Sequence, residues 1–135
     1  MTKKEVTQLA YTITGCAIRV HKELGPGLLE SIYEKCLKHE LELNGMKVAR
    51  QVIVPIQYKN LRFNSNLRID LIVNDTVIVE IKAVEKTLPV HEAQVLSYMK
   101  LLKVPQGLLI NFHTDNIVKS LKPFVNNHFK DLEDS

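Results

Sequence analysis

The chain has 135 residues, of which 45% are hydrophobic and 24% charged, and its formal net charge is +3. This length and composition are typical of one globular domain and exclude a disordered or fibrous chain. No apolar run approaches the roughly 20 residues that cross a bilayer, so we predict a single domain over residues 1–135 without a membrane partner. The mild charge permits a polyanionic partner without requiring one, because a nucleic-acid site depends on local clusters of charge.

The N-terminus carries polar residues, in MTKKEVTQLAYTITG, where a secretory signal needs an unbroken apolar stretch. We therefore expect a cytoplasmic protein. The two cysteines, Cys16 and Cys36, are too few for a disulfide scaffold, and their spacing suits no zinc site. A glycine-rich phosphate loop, a Ser/His/Asp order and a CxxC pair are all absent, which argues against an NTPase, a triad hydrolase and a zinc module.

Two helices are predicted at the start of the chain. Over residues 6–24, apolar side chains recur in steps of three and four, and the Gly-Pro-Gly at 25–27 ends the helix. A second helix is predicted over 28–44, with Gly45 as its stop. A third is predicted over 89–102, with proline in its favoured first-turn position.

The segment 46–84 is rich in Val and Ile and is interrupted by short polar turns, which predicts a meander of strands. Pro55 lacks an N–H, so its strand should lie at an edge of the sheet or be bulged there. GLLINF, at 107–112, predicts another strand, and 118–129 is compatible with either a strand or a helix. The polar tail after residue 129 is expected to fray. The order ααβββαβ indicates one α/β sandwich.

Three charged residues, Asp70, Glu80 and Lys82, interrupt the apolar hairpin RIDLIVNDTVIVEIKAV. A two-residue turn at 74–75 would place the two carboxylates on opposite faces of the sheet. A three-residue turn at 74–76 would instead place Asp70 directly across from Glu80, with Cβ atoms about 4.5–5.5 Å apart. We favour the three-residue turn, although the hydrophobic pattern is compatible with both because both faces are apolar.

Two opposed buried carboxylates repel each other, and an unpaired buried charge is very unfavourable. Mg²⁺ or Mn²⁺, held by carboxylates, a backbone carbonyl and water, would resolve that conflict. Lys82 on the same face could hold or deprotonate a water, or stabilise charge on a phosphate. The alternative is a buried ion pair of Lys82 with Glu80 or Asp70 that carries no chemistry.

Other polar residues recur at positions that could serve a site. His91, Gln94 and Tyr98 share one face of the third helix. The complementary face is expected to pack on the sheet and contains Val90, Ala93, Leu96 or Val95, and Met99 or Leu102. Several basic residues are candidate phosphate contacts around a cleft, although each taken singly is more simply a solvated surface charge; they are Arg62, Arg68, Lys86 and Lys100 or Lys103.

The pattern D-(x)9-E-x-K on consecutive strands resembles the PD-(D/E)xK nuclease superfamily. GPGLLESIY, with Gly27, Glu30 and Tyr33, is similar to the motif that names the GxxExxY family within it. RIDLIV, VEIKAV, HEAQVLSYMKLL and GLLINF follow in that family's order, over about residues 10–124. The position before the aspartate, a proline in the superfamily pattern, is Ile69 here.

The resemblance implies a restriction-endonuclease-like core, with a central mixed sheet flanked by helices, and residue roles within it. Asp70 and Glu80 would hold the metal together with the Ile81 carbonyl, and Lys82 would be the catalytic lysine. Glu30 would support a bound water or a second ion. The remaining supporting residues would be Gln94, a further catalytic group, with Tyr98, Tyr33 and His91.

Two functions from different classes follow. The first is a Mg²⁺- or Mn²⁺-dependent nuclease that cuts DNA, with RNA as the second choice. The second is a nuclease-derived module that binds nucleic acid or a protein without cutting. The complete D…ExK set favours the nuclease. Nucleases of this kind often need two active sites to cut two strands, which is compatible with a homodimer.

Overall fold

The computed structural model describes residues 1–135, which form ten helices and strands. In chain order they are α1 (Lys3–Leu24), α2 (Glu30–Leu43), β1 (Val48–Tyr58), β2 (Leu61–Val73), β3 (Val77–Lys82), α3 (Pro89–Leu102), β4 (Gln106–Asn111), α4 (Ile117–Ser120), β5 (Lys122–Val125) and α5 (Asn127–Lys130). The predicted order ααβββαβ is confirmed as far as β4. The segment for which strand and helix were both considered contains two short helices with a strand between them.

The five strands form one mixed sheet in the order β1-β2-β3-β4-β5. The β3–β4 pair is parallel and is connected through α3, whereas the other three pairs are antiparallel. Helices flank this sheet, so the predicted α/β class and its restriction-endonuclease-like arrangement are confirmed. β1 is an edge strand, and its pairing with β2 shifts register between Ile53 and Pro55. Both expectations for Pro55 are therefore met.

Alternate residues of the central strands supply two apolar cores, one on each face of the sheet. On one face, α1 and α2 pack against a cluster that includes Val77, Val79 and Ile81 of β3. On the other face, α3 packs against a smaller cluster that includes Ile78. The period-two alternation of β3 separates the two cores, because successive side chains of a strand point to opposite faces. Side chains at Glu80 and Lys82 consequently lie on the α3 face.

The buried face of α3 differs from the predicted one. Val95 and Met99 are the buried members of the two pairs of alternatives, but the prediction was wrong for Val90 and Ala93, which are exposed. The buried residues of α3 are Val95, Tyr98 and Met99. Tyr98 had been assigned to the polar side, but its ring fills the core, and this rotates the buried stripe by about one residue.

The C-terminal tail does not fray, contrary to expectation. The Lys3 N–H donates to the Glu133 carbonyl at 2.7 Å, and the Lys4 N–H donates to the Asp134 carbonyl at 3.2 Å. These are among the first N–H groups of α1, which have no partner inside the helix. The tail is held because it satisfies them. None of the helices combines the length and apolar character that crossing a bilayer requires.

Candidate active site

The turn between β2 and β3 fixes the relative position of the two acids. Val73 pairs with Val77, Ile72 with Ile78 and Leu71 with Val79, so the turn comprises the three residues 74–76. Asn74 and Asp75 both adopt positive φ, of 51° and 54°, which these residue types tolerate. The predicted three-residue turn is confirmed. Continuing the register places Asp70 across from Glu80.

The strands part at that position. The β2–β3 ladder ends at Leu71 and Val79, and the Ile81 N–H donates instead to Asp70 Oδ2 at 2.8 Å. The N–H and C=O of one strand residue point to the same side, as the paired bonds of an antiparallel ladder require. The Ile81 carbonyl therefore faces the same gap between β2 and β3 as its N–H. The Ile81 carbonyl oxygen and the two carboxylates therefore lie together where β2 and β3 separate.

Glu80 is the least satisfied polar group of the site. The residue is 6% exposed, and Oε1 is buried without a hydrogen-bond partner. Burial first, and then the adjacent Asp70 carboxylate, raises the pKa of Glu80 to about 9. A buried polar atom without a partner is uncommon in folded proteins and calls for a physical explanation. Proton uptake or a bound cation would each relieve this cost.

A third carboxylate reaches Asp70 from α2. Gln51 Nε2 donates to Glu34 Oε1 at 2.7 Å and to Asp70 Oδ1 at 3.3 Å, and Arg50 Nε lies 3.4 Å from the same Glu34 oxygen. Burial raises the pKa of Glu34, the Gln51 bond lowers it, and Asp70 raises it again. The Gln51 amide therefore holds two acids at a fixed separation.

The backbone at Gln51 explains how its amide reaches Asp70. Gln51 has a φ of 53°, in the left-handed region that non-glycine residues seldom adopt. Arg50 pairs with Leu71 and Val52 with Ile69, so Gln51 and Asp70 are missing from the β1–β2 ladder between them. Such local irregularities are common beside functional sites, where they redirect a side chain.

Lys82 lies on the same face of β3 as Glu80. Its positive charge lowers the pKa of Glu80, but this effect is smaller than the increase caused by burial. It forms no ion pair with Glu80 or Asp70 within 4.0 Å. The alternative of a buried ion pair without chemistry is therefore wrong for this structure. The ammonium group is near the acids and free to contact another anion.

Asn111, at the end of β4, fixes the chain that follows Lys82. Its Oδ1 accepts from the Val84 N–H at 3.1 Å and from the His113 N–H at 3.2 Å, and its Nδ2 donates to the Val84 carbonyl at 2.7 Å. Asn111 is 5% exposed and is the parallel neighbour of Lys82 in the sheet. It holds the loop after β3 through two bonds to the Val84 backbone, and its third bond is to the His113 backbone after β4.

Helix α3 brings Tyr98 to the acids. Its side chain is buried, and burial first, followed by the charges of Glu80 and Asp70, raises the pKa of its hydroxyl. Gln94 lies one turn earlier on the same side, half-buried, and forms no hydrogen bond with the acids. His91 Nδ1 accepts from the Leu88 N–H at 3.0 Å, so this ring caps the start of α3.

The motif residues of α2 separate into different environments. Glu30 is exposed at the first position of the helix and makes no hydrogen bond or ion pair. Tyr33 is fully buried, stacks on Phe112 at 4.5 Å, and donates its hydroxyl to the Gly25 carbonyl at 2.6 Å. Tyr33 thus holds the Gly-Pro-Gly loop, in which Gly27 has a φ of 100° that favours glycine. The α2 acid that approaches the site is Glu34, one turn after Glu30.

The basic residues predicted as candidate phosphate contacts are all exposed and free of ion pairs, Lys100 and Lys103 included. Arg68 lies on β2 opposite Ile53, and Lys86 lies in the loop that follows β3. Arg62 lies near the start of β2 and lines a separate cleft of about 1150 Å³ between the β1–β2 hairpin and α3. Neither Asp70 nor Glu80 lines that cleft.

The donor set fits a hard divalent cation. Glu80 Oε1 has no partner, and the adjacent Asp70 carboxylate and the Ile81 carbonyl are the oxygen donors that Mg²⁺ and Mn²⁺ take. No group of three or more His, Cys, Asp or Glu side chains stands close enough to hold a metal alone. An ion here would keep waters in its remaining positions, as Mg²⁺ usually does.

Sequence reasoning missed Glu34, Gln51 and Asn111. Glu34 follows Tyr33 directly and lies four residues after Glu30. The sequence therefore contains a second acid one helical turn further along α2, which could have been considered for the site. Asn111 is a polar residue at the end of an apolar strand, a recognisable signal for a special role. Gln51 left no signal, because its reach depends on an unusual backbone conformation.

A family model described as PD-(D/E)XK nuclease superfamily matches residues 7–123. No curated protein and no solved structure gives a significant match to the chain. The matched span runs from the first helix into β5 and includes every residue of the candidate site.

Proposed function

Because the chain belongs to the PD-(D/E)XK nuclease superfamily, we propose that it is a Mg²⁺- or Mn²⁺-dependent nuclease that hydrolyses phosphodiester bonds in DNA, with RNA as the second choice. Membership suggests nuclease activity, and nucleases of this superfamily generally use divalent metal ions. One observation carries the proposal for this chain. Glu80 has a buried oxygen without a partner, beside the Asp70 carboxylate and where β2 and β3 separate.

The residues where β2 and β3 separate would hold the metal ion and orient its ligands. Asp70, Glu80 and the Ile81 carbonyl would hold the ion, which supplies Lewis-acid polarisation of a phosphoryl oxygen and a lowered pKa for water. Glu80 must lose its proton to bind, so its raised pKa ties occupancy of the site to pH. Gln51 fixes the orientation of Asp70 by donating to Oδ1 while the Ile81 N–H donates to Oδ2.

Lys82 would act on the phosphate or on the attacking water. Its ammonium has no carboxylate partner, so it can donate to a phosphate oxygen on which negative charge develops. Asn111 would support it by fixing the loop that begins directly after Lys82. Tyr98, buried on the α3 side of the acids, would exclude water from that side of the pocket.

The proposal extends to the GxxExxY family. Gly27 adopts the positive φ for which glycine is needed, and Tyr33 fixes the loop that contains it, which gives two of the motif residues a structural reason. The supporting role that the resemblance gives to Glu30 is proposed here for Glu34, because Glu34 shares the Gln51 amide with Asp70. Nucleases of this kind often use two active sites to cut both strands of a duplex, so we include a homodimer on duplex substrate in the proposal.

The decisive experiment incubates the protein with labelled single-stranded, duplex, flap and branched DNA and RNA, in Mn²⁺ and in chelator. We expect metal-dependent cleavage of at least one DNA, lost in Glu80→Gln. Asp75→Asn is the matched control, since Asp75 lies in the turn of the same hairpin with a side chain 80% exposed. Nucleic-acid binding without cleavage under every condition would refute the nuclease and identify the chain as a binding module.

A further inference from the structure

The cleft between the β1–β2 hairpin and α3 is lined by cations from both of its walls. Lys59 and Arg62 flank the turn of the hairpin, and Lys100 and Lys103 come from the end of α3. No acidic residue lines it, and none of the four cations forms an ion pair. Lys100 lies in the last turn of α3, and Lys103 is the C-cap residue that directly follows the helix.

The four cations of this cleft account for the net positive charge of the chain. Of the 18 Lys and Arg residues, four line the cleft, which leaves 14 to balance 15 Asp and Glu over the rest of the molecule. A cleft lined by one sign of charge focuses the field and attracts a ligand of the opposite sign. The surface of this cleft is therefore strongly basic, although the net charge of the whole chain is small.

The shape of the cleft favours an extended ligand. Its volume of about 1150 Å³ lies above the usual range of about 300–1000 Å³ for small-molecule sites, and those sites are mainly apolar. Here hydrogen-bonding side chains of Gln57, Asn64 and Ser97 accompany the cations, and Phe63 lies on the wall with 49% of its surface exposed. Lysine, arginine, serine and amide groups are the side chains that contact phosphate and sugar.

The cleft is within reach of the candidate active site. Leu101 lines it and also packs on the α3-side core, to which Tyr98 belongs. Along β2, six residues separate Asn64 in the cleft from Asp70, so their separation is at most about 20 Å. One strand of DNA rises about 3.4 Å per nucleotide, so about six nucleotides would cover that path.

We propose that this cleft binds the phosphate backbone of a nucleic acid, up to about six nucleotides from the phosphate that is cut. The proposal rests on the proposed nuclease function for its choice of ligand. It adds a site that contains neither Asp70 nor Glu80. The four cations hold the backbone without reading bases, so the cleft contributes affinity and register rather than sequence preference.

The test measures binding of labelled single-stranded and duplex DNA by fluorescence anisotropy in chelator, where cleavage is prevented, over a range of salt concentrations. The variant combines Arg62→Gln, Lys100→Gln and Lys103→Gln. The control combines Lys4→Gln, Lys22→Gln and Lys119→Gln, which removes the same charge at exposed positions outside the cleft. Single Arg62→Gln and Lys100→Gln variants guard against misfolding of the triple variant.

We expect the cleft variant to bind at least about tenfold more weakly than the control and to reduce the salt slope by about 2–3, since each phosphate contact contributes about 0.7–0.9. Each single variant should reduce it by about one. Equal affinity and slope for the two triple variants would overturn the proposal. So would binding to phosphatidylserine vesicles with none to DNA, or no binding of DNA by the wild type.

The two proposals fail separately. Cleft-dependent binding with no cleavage under any condition would refute the nuclease and leave the cleft as the binding surface. Cleavage by the cleft triple variant at the wild-type rate and KM would refute the cleft and leave the nuclease.

Discussion

The Ile81 N–H donates to Asp70 Oδ2 at 2.8 Å, so a side-chain carboxylate takes the place of a backbone carbonyl where β2 leaves β3. This bond keeps the opened strand edge satisfied and holds Asp70 across from Glu80. It also directs the Ile81 carbonyl into the same gap. The separation of the two strands is therefore what creates room for an ion beside two acids.

The pKa of Glu80 predicts how the metal-free protein responds to pH. Its folded value of about 9 lies above its ordinary value of 4.5, so the folded state binds more protons between these limits. The contribution of Glu80 to the free energy of unfolding is therefore fully present below pH 4.5 and falls as pH rises towards 9, by up to about 1.4 kcal/mol per pH unit.

Urea unfolding in chelator at pH 5, 7 and 8.5 measures this effect, with Glu80→Gln as the comparison. The amide cannot ionise, so the variant should lose the decline and become the more stable protein at the highest pH. Asp75→Asn should follow the wild type. A wild-type stability that rises over this interval as steeply as that of Glu80→Gln would contradict the environment described for Glu80.

Replacing Lys82 should separate metal binding from catalysis. The ammonium has no ion-pair partner, and its removal takes a positive charge away from the cation site. In Lys82→Met we expect calorimetric Mn²⁺ affinity to be unchanged or tighter and cleavage to fall by at least about 10²-fold. Lys119→Met, at an exposed position, should retain both. Loss of Mn²⁺ binding in Lys82→Met would show that this lysine holds the acids in place instead.

Two variants decide which acid of α2 serves the site. Glu34 shares the Gln51 amide with Asp70, whereas Glu30 is exposed and unbonded. From this geometry, Glu34→Gln should lower cleavage by about 10–100-fold, as loss of a group that orients a metal ligand does. Glu30→Gln is the matched control and should stay within a few fold of wild type. The reverse order would return the supporting role to Glu30, as the family resemblance implies.

Removal of the Asn111 side chain should release the loop after Lys82. Asn111→Ala leaves the Val84 N–H and carbonyl without partners, at a cost of about 1–3 kcal/mol in unfolding free energy. Hydrogen exchange at the Val84 amide should accelerate, and kcat should fall with little change in KM. Asn60→Ala, at an exposed turn, is the control. Normal protection of the Val84 amide in Asn111→Ala would show that other contacts hold this loop.

The strand meander and its register could be predicted from sequence. Runs of β-branched residues predict β2 and β3. The three-residue turn is favoured because it places Asp70 directly across from Glu80, and the observed register confirms it. The edge position of Pro55 followed from its missing N–H. These features depend on local chemistry, which a sequence displays directly.

Features that depend on tertiary contacts could not be predicted. The polar tail has no apolar pattern, yet its carbonyl groups cap α1. Tyr98 carries a polar hydroxyl, but its aromatic ring is buried, so the buried face of α3 differs from the predicted one. Gln51 reaches Asp70 only because its φ is positive, which its residue type does not indicate. Arg62 and Lys100 or Lys103 are predicted from sequence as separate phosphate contacts, but not as one cleft, because the cleft unites a hairpin turn with the end of a helix about 40 residues later.

The most direct test of the central claim is anomalous diffraction from crystals grown in Mn²⁺. We predict one Mn²⁺ peak bonded to the Asp70 and Glu80 carboxylates and to the Ile81 carbonyl, and no peak in Glu80→Gln crystals grown in the same way. A Mn²⁺-containing crystal with no peak between β2 and β3, and with Glu80 hydrogen-bonded to Asp70 through a shared proton, would contradict it.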